Sequence, residues 1–368
     1  MGSGAVRALA RTARDFCARH VAPMVAAEGK DGELGRLGPL IDEAEAVGLM
    51  ATPDPEGHGH EYGVWGTACL EGGSTASLVM LEEVASVCAG VAACLHVGGL
   101  GALELAGSGL RARRVAVAVI EDGWRVPETV IDRPPEGATA IQAGDGGVAV
   151  TGTTAFVHAV PGWDGCVVYG AGEGDWQRAL VRRDGAGVEV APAQRTMGLA
   201  AIETVALRMT GATVRPEHSL APRSPRPFLT RHLLGLAAIA LGNARGAVAA
   251  AREYAEQRYQ GGDQIESHAA VQALLGDAIS RVEAGATFLL RAARGNVDGA
   301  TALAVAAAVK LRLTVDCCQA VTDSLQVFGG YGYMEDYGLE KRLRDAMTLK
   351  TLSVAPDGLR RLVAGGGR

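Results

Sequence analysis

The residues of this chain that could do chemistry fall into four short stretches or sets. Gly57-His-Gly-His-Glu61 sets two imidazoles beside a carboxylate, donor types that bind zinc and similar metals. Such a site needs further ligands at matched spacing, and none is clustered nearby. The stretch reads as a glycine-rich loop, and no metal is expected. Seven cysteines stand at positions 17, 69, 88, 94, 166, 317 and 318, with no C-x-x-C pair. They read as small buried hydrophobes in a reducing compartment. Gly170-Ala-Gly-Glu-Gly174 has close glycines, but no βαβ unit follows to set a pyrophosphate on a helix N-terminus, so it reads as a turn. The fourth stretch is Gln326-Val-Phe-Gly-Gly-Tyr-Gly-Tyr-Met-Glu-Asp-Tyr-Gly-Leu-Glu-Lys-Arg-Leu-Arg-Asp-Ala346. By residue type alone its glycine pair is a helix C-cap followed by a turn.

The elements that must position these residues change texture twice. Residues 1–110 carry apolar side chains at three- and four-residue spacing, which predicts helices over Ala5–His20, Leu37–Val47 and Leu78–Leu105. Between 111 and 222 the runs become short and β-rich: Val115–Ile120, Gly147–Val150, Asp164–Tyr169, Arg178–Arg182, Gly187–Val190 and Thr204–Met209. Gly, Asp and Pro clusters separate them, as in an all-β domain. From 223 to 368 four long alanine-rich segments predict helices: Phe228–Gln260, Gln264–Ala293, Ala300–Phe328 and Asp336–Leu352. Alanine favours helix and lets helix axes approach, so an antiparallel four-helix bundle is expected. The fold class is therefore α+β and multidomain: a helical domain, a central β-barrel or sandwich, then a bundle.

Composition closes off several function classes. With 48% hydrophobic and 21% charged residues, the 368-residue chain can bury a large core. A formal net charge of -6 argues against a nucleic-acid surface, whose footprint is basic. No apolar run free of charges and helix breakers suggests a membrane span, and the N-terminus lacks the apolar core of a secretory signal. A cytoplasmic location is expected.

The stretch from Gln326 to Ala346 also resembles the C-terminal signature of the acyl-CoA dehydrogenase family, matching Q-x-x-G-G-x-G-Y and then R-D-A at the expected gap. Weaker similarities fall in the same order along the chain. They are Glu61-Tyr-Gly, Glu83-Val-Ala-Ser-Val, Thr151-Gly-Thr-Thr-Ala-Phe-Val-His158, Met197-Gly-Leu with Thr204 and Val214-Arg-Pro-Glu217, and Tyr254-Ala-Glu-Gln-Arg258. The resemblance implies a homo-oligomer, dimer or tetramer, that holds FAD between the β-domain and the bundle, with a neighbouring subunit gripping the ADP half. It places Phe156 and His158 against the isoalloxazine and Arg258 at the pyrophosphate, where charge-assisted hydrogen bonds suit a guanidinium. It places Gln326, Gly329 and Gly330 along the ADP moiety, and His268, Ala355 and Asp357 near the cofactor.

The departures from the family pattern concern the base. Family members remove an acyl α-proton with a glutamate while hydride leaves for flavin N5. One group keeps that glutamate seven residues after R-D-A, where this chain has Ser353; another keeps it in the first bundle helix, at the position of His232. Neither carries a carboxylate, and the family's "TExxGSD" loop has no clean match around Glu121-Asp-Gly-Trp124. His232 and Ser353 are thus the candidate catalytic positions, with His232 the expected base, since an imidazole titrates near neutrality. The resemblance extends to acyl-carrier-protein-linked dehydrogenases of methoxymalonyl (polyketide extender-unit) biosynthesis. It implies oxidation of a small hydroxyacyl or semialdehyde thioester, on a carrier protein or on CoA. The competing readings are a flavin monooxygenase on the same scaffold and a non-catalytic member.

Overall fold

A computed structural model describes the chain except for residues 1–2, 29–33, 51–62, 71–73, 120–132, 135–137, 145–146, 296–298, 300 and 366–368. The histidine-rich loop at 57–61 and the stretch around Glu121–Trp124 lie outside the described residues. Helices come first: α1 (Ser3–Phe16), α2 (Ala22–Glu28), α3 (Leu34–Ala46), α4 (Thr67–Leu70), α5 (Thr75–Val87) and α6 (Ala89–Leu105). The single helix expected over Leu78–Leu105 is broken at Cys88, whose backbone is extended (φ -148, ψ 111). The reason is tertiary: Arg342, from the far end of the chain, donates to the carbonyl of Ser86 at 2.8 Å and takes over a helix-end acceptor.

The strands follow: β1 (Val115–Ala118), β2 (Ala140–Gly144), β3 (Gly147–Ala159), β4 (Gly165–Gly172), β5 (Asp175–Arg182), β6 (Val188–Val190), β7 (Glu203–Val214) and β8 (Ser219–Leu220). They form one mixed sheet in the order β6-β7-β3-β2-β4-β5-β8, with β1 parallel to β4. Of the expected turn Gly170–Gly174 only Glu173 and Gly174, both at positive φ, form the turn of the β4–β5 hairpin; Gly170 to Gly172 pair as the end of β4. Side chains of β1 to β5 and β7, among them Val150, Val157 and Met209, pack with Trp163 of the β3–β4 connection into a core of their own. The sheet therefore curls around apolar residues instead of lying flat against the helices. Its other face, through Val167, Tyr169 and Trp176, joins the larger helical core.

The bundle consists of α7 (Arg226–Gln257), α8 (Ala269–Ala293), α9 (Ala302–Val327) and α10 (Leu339–Thr351), followed by α11 (Pro356–Gly365). Helix α7 is long and apolar enough to cross a bilayer, yet 78% of its most apolar window is buried inside the protein. It is the central rod of the bundle. The R-D-A motif docks this bundle on the sheet. The buried Asp345 carboxylate accepts the Leu199 N–H at 2.7 Å and pairs with Lys341 at 2.8 Å, while Arg344 donates to Met197 O.

Candidate active site

Two places gather the residues singled out from the sequence, one near each end of α7. The first is a small cavity lined by Val97, Leu100, Val117, Phe156, His158, Phe228 and His232. Helix α6 supplies its floor, β1 and β3 one wall, and the start of α7 the other. Phe156 reaches it by a bulge. The β3–β7 register slips between Thr154 and Val157, and Phe156 sits at φ 59, 44% exposed as a residue. A non-glycine residue in that left-handed region is strained, a cost that often marks a functional position. His158 follows, with Nδ1 3.1 Å from Thr204 Oγ1.

His232 is held by a chain of buried rings that the sequence did not reveal. Trp65 Nε1–H donates to His96 Nδ1 at 3.0 Å, and His96 Nε2 lies 2.9 Å from His232 Nδ1. Phe228 stacks on the other side of His232, with centroids 5.6 Å apart. A close approach makes this possible: a Cβ on Gly235 would lie 2.1 Å from His96 Cε1. Any larger residue there would evict the ring.

The donor order fixes the protons. Indole N–H can only donate, so His96 Nδ1 must accept and its ring proton sits on Nε2. That proton points at His232 Nδ1, so the neutral His232 carries its own proton on Nε2. Burial first, then the neighbouring His96, holds His232 well below its ordinary pKa, and burial brings His96 down to about 3 and His158 to about 4. All three rings are neutral at pH 7. A neutral imidazole protonated at Nε2 has no lone pair there to receive a substrate proton, so this tautomer does not suit the base role expected of His232.

The second place is a cleft of about 860 Å³ at the far end of α7, lined by residues that include Arg258, His268, Gln326, Gly329, Gly330 and Tyr331. The structure thus brings together five of the residues expected at the cofactor. Arg258 lies 5.4 Å from the centre of the Tyr331 ring and has no ion pair among the described residues. His268 Nε2 faces the Gln260 carbonyl at 2.9 Å. Cβ atoms on Gly329 or Gly330 would meet nothing within 4 Å, so backbone is open to a ligand. The volume suits a cofactor fragment, since ligand pockets run to roughly 300–1,000 Å³. A guanidinium without a carboxylate, exposed glycine backbone and stacked aromatic rings fit a pyrophosphate and an adenine.

The remaining candidates are not brought into either place. Ser353 is buried at φ 67 between α10 and α11, and its Oγ has no hydrogen-bond partner. It lines neither the cavity nor the cleft, so the structure gives it no reactive partner. Ala355 is exposed, and Asp357 pairs with Arg360 at 2.6 Å on the surface of α11. Lys310 went unnoticed in the sequence. Fully buried, it donates to the carbonyls of Lys350 and Val354 at 3.1 and 3.0 Å, and burial lowers its pKa to about 7. It clamps the α10–α11 junction that carries Ser353. Trp65 and His96 had one faint signal, the glycines of His96-Val-Gly-Gly-Leu-Gly101, which weaken a helix unless something packs close.

Comparison with known proteins agrees with this architecture. Residues 4–114 match the acyl-CoA dehydrogenase N-terminal domain, and residues 228–353 match its C-terminal domain. Cyclohexane-1-carbonyl-CoA dehydrogenase of Geobacter metallireducens is 27% identical over 362 residues, covering 93% of this chain and 91% of the relative. The structure of butyryl-CoA dehydrogenase from Megasphaera elsdenii superposes with a TM-score of 0.80 at 21% identity, over 98% of this chain and 97% of that one. The prolyl acyl carrier protein oxidase AnaB shares the fold with a TM-score of 0.79 at 16% identity, over 99% and 98% of the two chains. This chain belongs to the acyl-CoA dehydrogenase family.

Proposed function

We propose that this chain, an FAD-dependent oxidoreductase by family, oxidises a small oxygen-bearing acyl thioester, a hydroxyacyl or semialdehyde group of the kind built into polyketide extender units. The observation that carries this is the cavity beside Phe156: it is lined by two neutral imidazoles and apolar side chains, with no carboxylate among the described residues. Removing a weakly acidic α-C–H calls for a positioned base of matched pKa, and no carboxylate lines this wall. The bound flavin would supply one piece of chemistry, acceptance of a hydride from the substrate carbon.

The chain's own residues do the rest. Val97, Leu100, Val117 and Phe228 exclude water from the reacting centre. His158, whose Nδ1 lies 3.1 Å from Thr204 Oγ1, would receive a hydroxyl proton at Nε2 in the tautomer that donates Nδ1–H to that hydroxyl. Arg258, Gln326, Gly329 and Gly330 would hold the ADP portion. Helix α7 has 32 residues, about 48 Å at 1.5 Å per residue, with His232 near its start and Arg258 at its C-cap. The 26 residues from His232 to Arg258 span about 39 Å, which supports a homo-oligomer in which the cleft of one copy serves the cavity of another. Carrier-protein presentation of the substrate draws support from the shared fold with AnaB. A cytoplasmic setting draws support from seven buried, unpaired thiols.

The test is an anaerobic titration of the FAD-loaded protein, following flavin absorbance. Carrier-bound hydroxyacyl or semialdehyde thioesters should bleach the flavin without oxygen. Bleaching by butyryl-CoA at an equal or greater rate would overturn the substrate assignment. A flavin that stays oxidised until an external reductant is added would point to a monooxygenase.

A further inference from the structure

The buried chain of Trp65, His96 and His232 ends in a group that nothing satisfies. His232 Nε2 carries a proton by the donor order above, has no partner among the described residues, and belongs to a side chain lining the cavity. Five of its six neighbours in that lining are aliphatic or phenyl side chains. An N–H in an apolar wall is costly unless an acceptor arrives with the ligand. The arrangement is also expensive to build. Trp65 is buried at φ 72, a conformation unfavourable for a bulky residue, and Gly235 must stay side-chain-free for His96 to fit. A strained tryptophan and an obligatory gap in α7 together set the position of one proton.

We propose that this relay makes His232 Nε2–H a fixed neutral donor that selects acyl groups bearing an acceptor oxygen, a hydroxyl or carbonyl on the acyl chain, over plain hydrocarbon chains. The inference rests on the reading of the protein as an acyl-thioester oxidoreductase and names the residue that sets its specificity. A site built to hydrogen-bond a substrate oxygen rejects the analogue lacking it, because its own polar group is then left unpaired. The direction of the relay matters as much as its existence. Were Trp65 unable to donate, His96 could turn its proton toward Nδ1, and His232 would face the cavity with a lone pair.

Two measurements on the FAD-loaded protein test this. In ¹⁵N-histidine-labelled protein at pH 7, the ring nitrogen shifts should show His96 and His232 both protonated at Nε2 and bare at Nδ1. Trp65→Phe keeps an aromatic ring but removes the donor, and should mix the two tautomers. The second measurement compares hydroxyacyl and unsubstituted acyl thioesters of equal length in anaerobic flavin reduction. Wild-type protein should favour the hydroxyacyl compound, and His232→Phe should cut that preference by roughly tenfold, the worth of one hydrogen bond to a buried group. His232→Gln, whose amide can still donate, should recover part of it. A His232 protonated at Nδ1, unchanged ring shifts in Trp65→Phe, or full preference retained by His232→Phe would each overturn the proposal. A His232→Phe variant that shifts the flavin spectrum without touching the preference overturns it too, since the N–H would then serve the cofactor. Reduction by neither thioester defeats the acyl-oxidoreductase reading and the selection with it, while the nitrogen shifts still report on the relay alone.

Discussion

The imidazole cavity and the glycine cleft sit toward opposite ends of one helix and are built on opposite principles. In the cavity every polar atom is dictated by a buried neighbour, and the side chains that dictate it leave almost no spare room. In the cleft the backbone is bare, and large side chains around it stand in solvent: Tyr331 is 45%, Tyr337 42% and Met334 49% exposed. Such a patch on one small area signals a surface that is covered in use. The contrast separates two tasks. Close-packed buried rings set the one, and exposed backbone and aromatic rings set the other.

The sharpest way to break that contrast is to add one methyl group at each end. Gly235→Ala should displace the His96 ring and cost about 3 kcal/mol in urea unfolding, near the upper end for overpacking a core. Gly330→Ala meets open space and should change stability by under about 0.5 kcal/mol, as surface changes do. If the two variants unfold alike, the contrast fails. Next in size is Arg258→Met. It should leave the apoprotein's melting temperature in place but weaken FAD retention by roughly tenfold or more, the worth of a hydrogen bond to a charged group. Equilibrium dialysis of the flavin decides it.

A smaller effect concerns acid. His96 and His158 titrate at about 3 and about 4 in the folded chain against 6.5 for an ordinary histidine. Their folded pKa values are lowered, so the stability they contribute is complete above pH 6.5. It drains away as pH falls toward 4, because only the unfolded chain takes up the protons. The melting temperature should decline over that window, and His158→Gln should make the decline shallower. An identical slope in the variant would mean that His158 is not held neutral by the fold. The smallest effect is that of Gly330→Ala, read as a slight loosening of FAD.

How much of this the sequence disclosed follows the same division. The cleft was legible because its parts are nearly contiguous: Gln326, Gly329 and Gly330 lie within five residues, and Arg258 and His268 flank one turn between two helices. The order of helices, strands and helices was legible because apolar spacing changes period twice along the chain. The cavity was not. His96 meets a partner 31 residues away in Trp65 and another 136 away in His232, and local pattern says nothing about such meetings. The proton position of His232 was hidden for the same reason: its identity is local, but its proton is assigned by a tryptophan in another part of the fold. The break at Cys88 was hidden likewise, since the arginine that supports it arrives from 254 residues further on.

Phe156 offers a last consequence. Its left-handed backbone costs on the order of 1 kcal/mol that glycine would not incur, and the residue is 44% exposed. Laboratory evolution of this protein for heat tolerance alone would therefore be drawn early to Phe156→Gly. Each such gain would remove the aromatic face from the mouth of the cavity, so thermal hardening and turnover should trade against each other at this one codon.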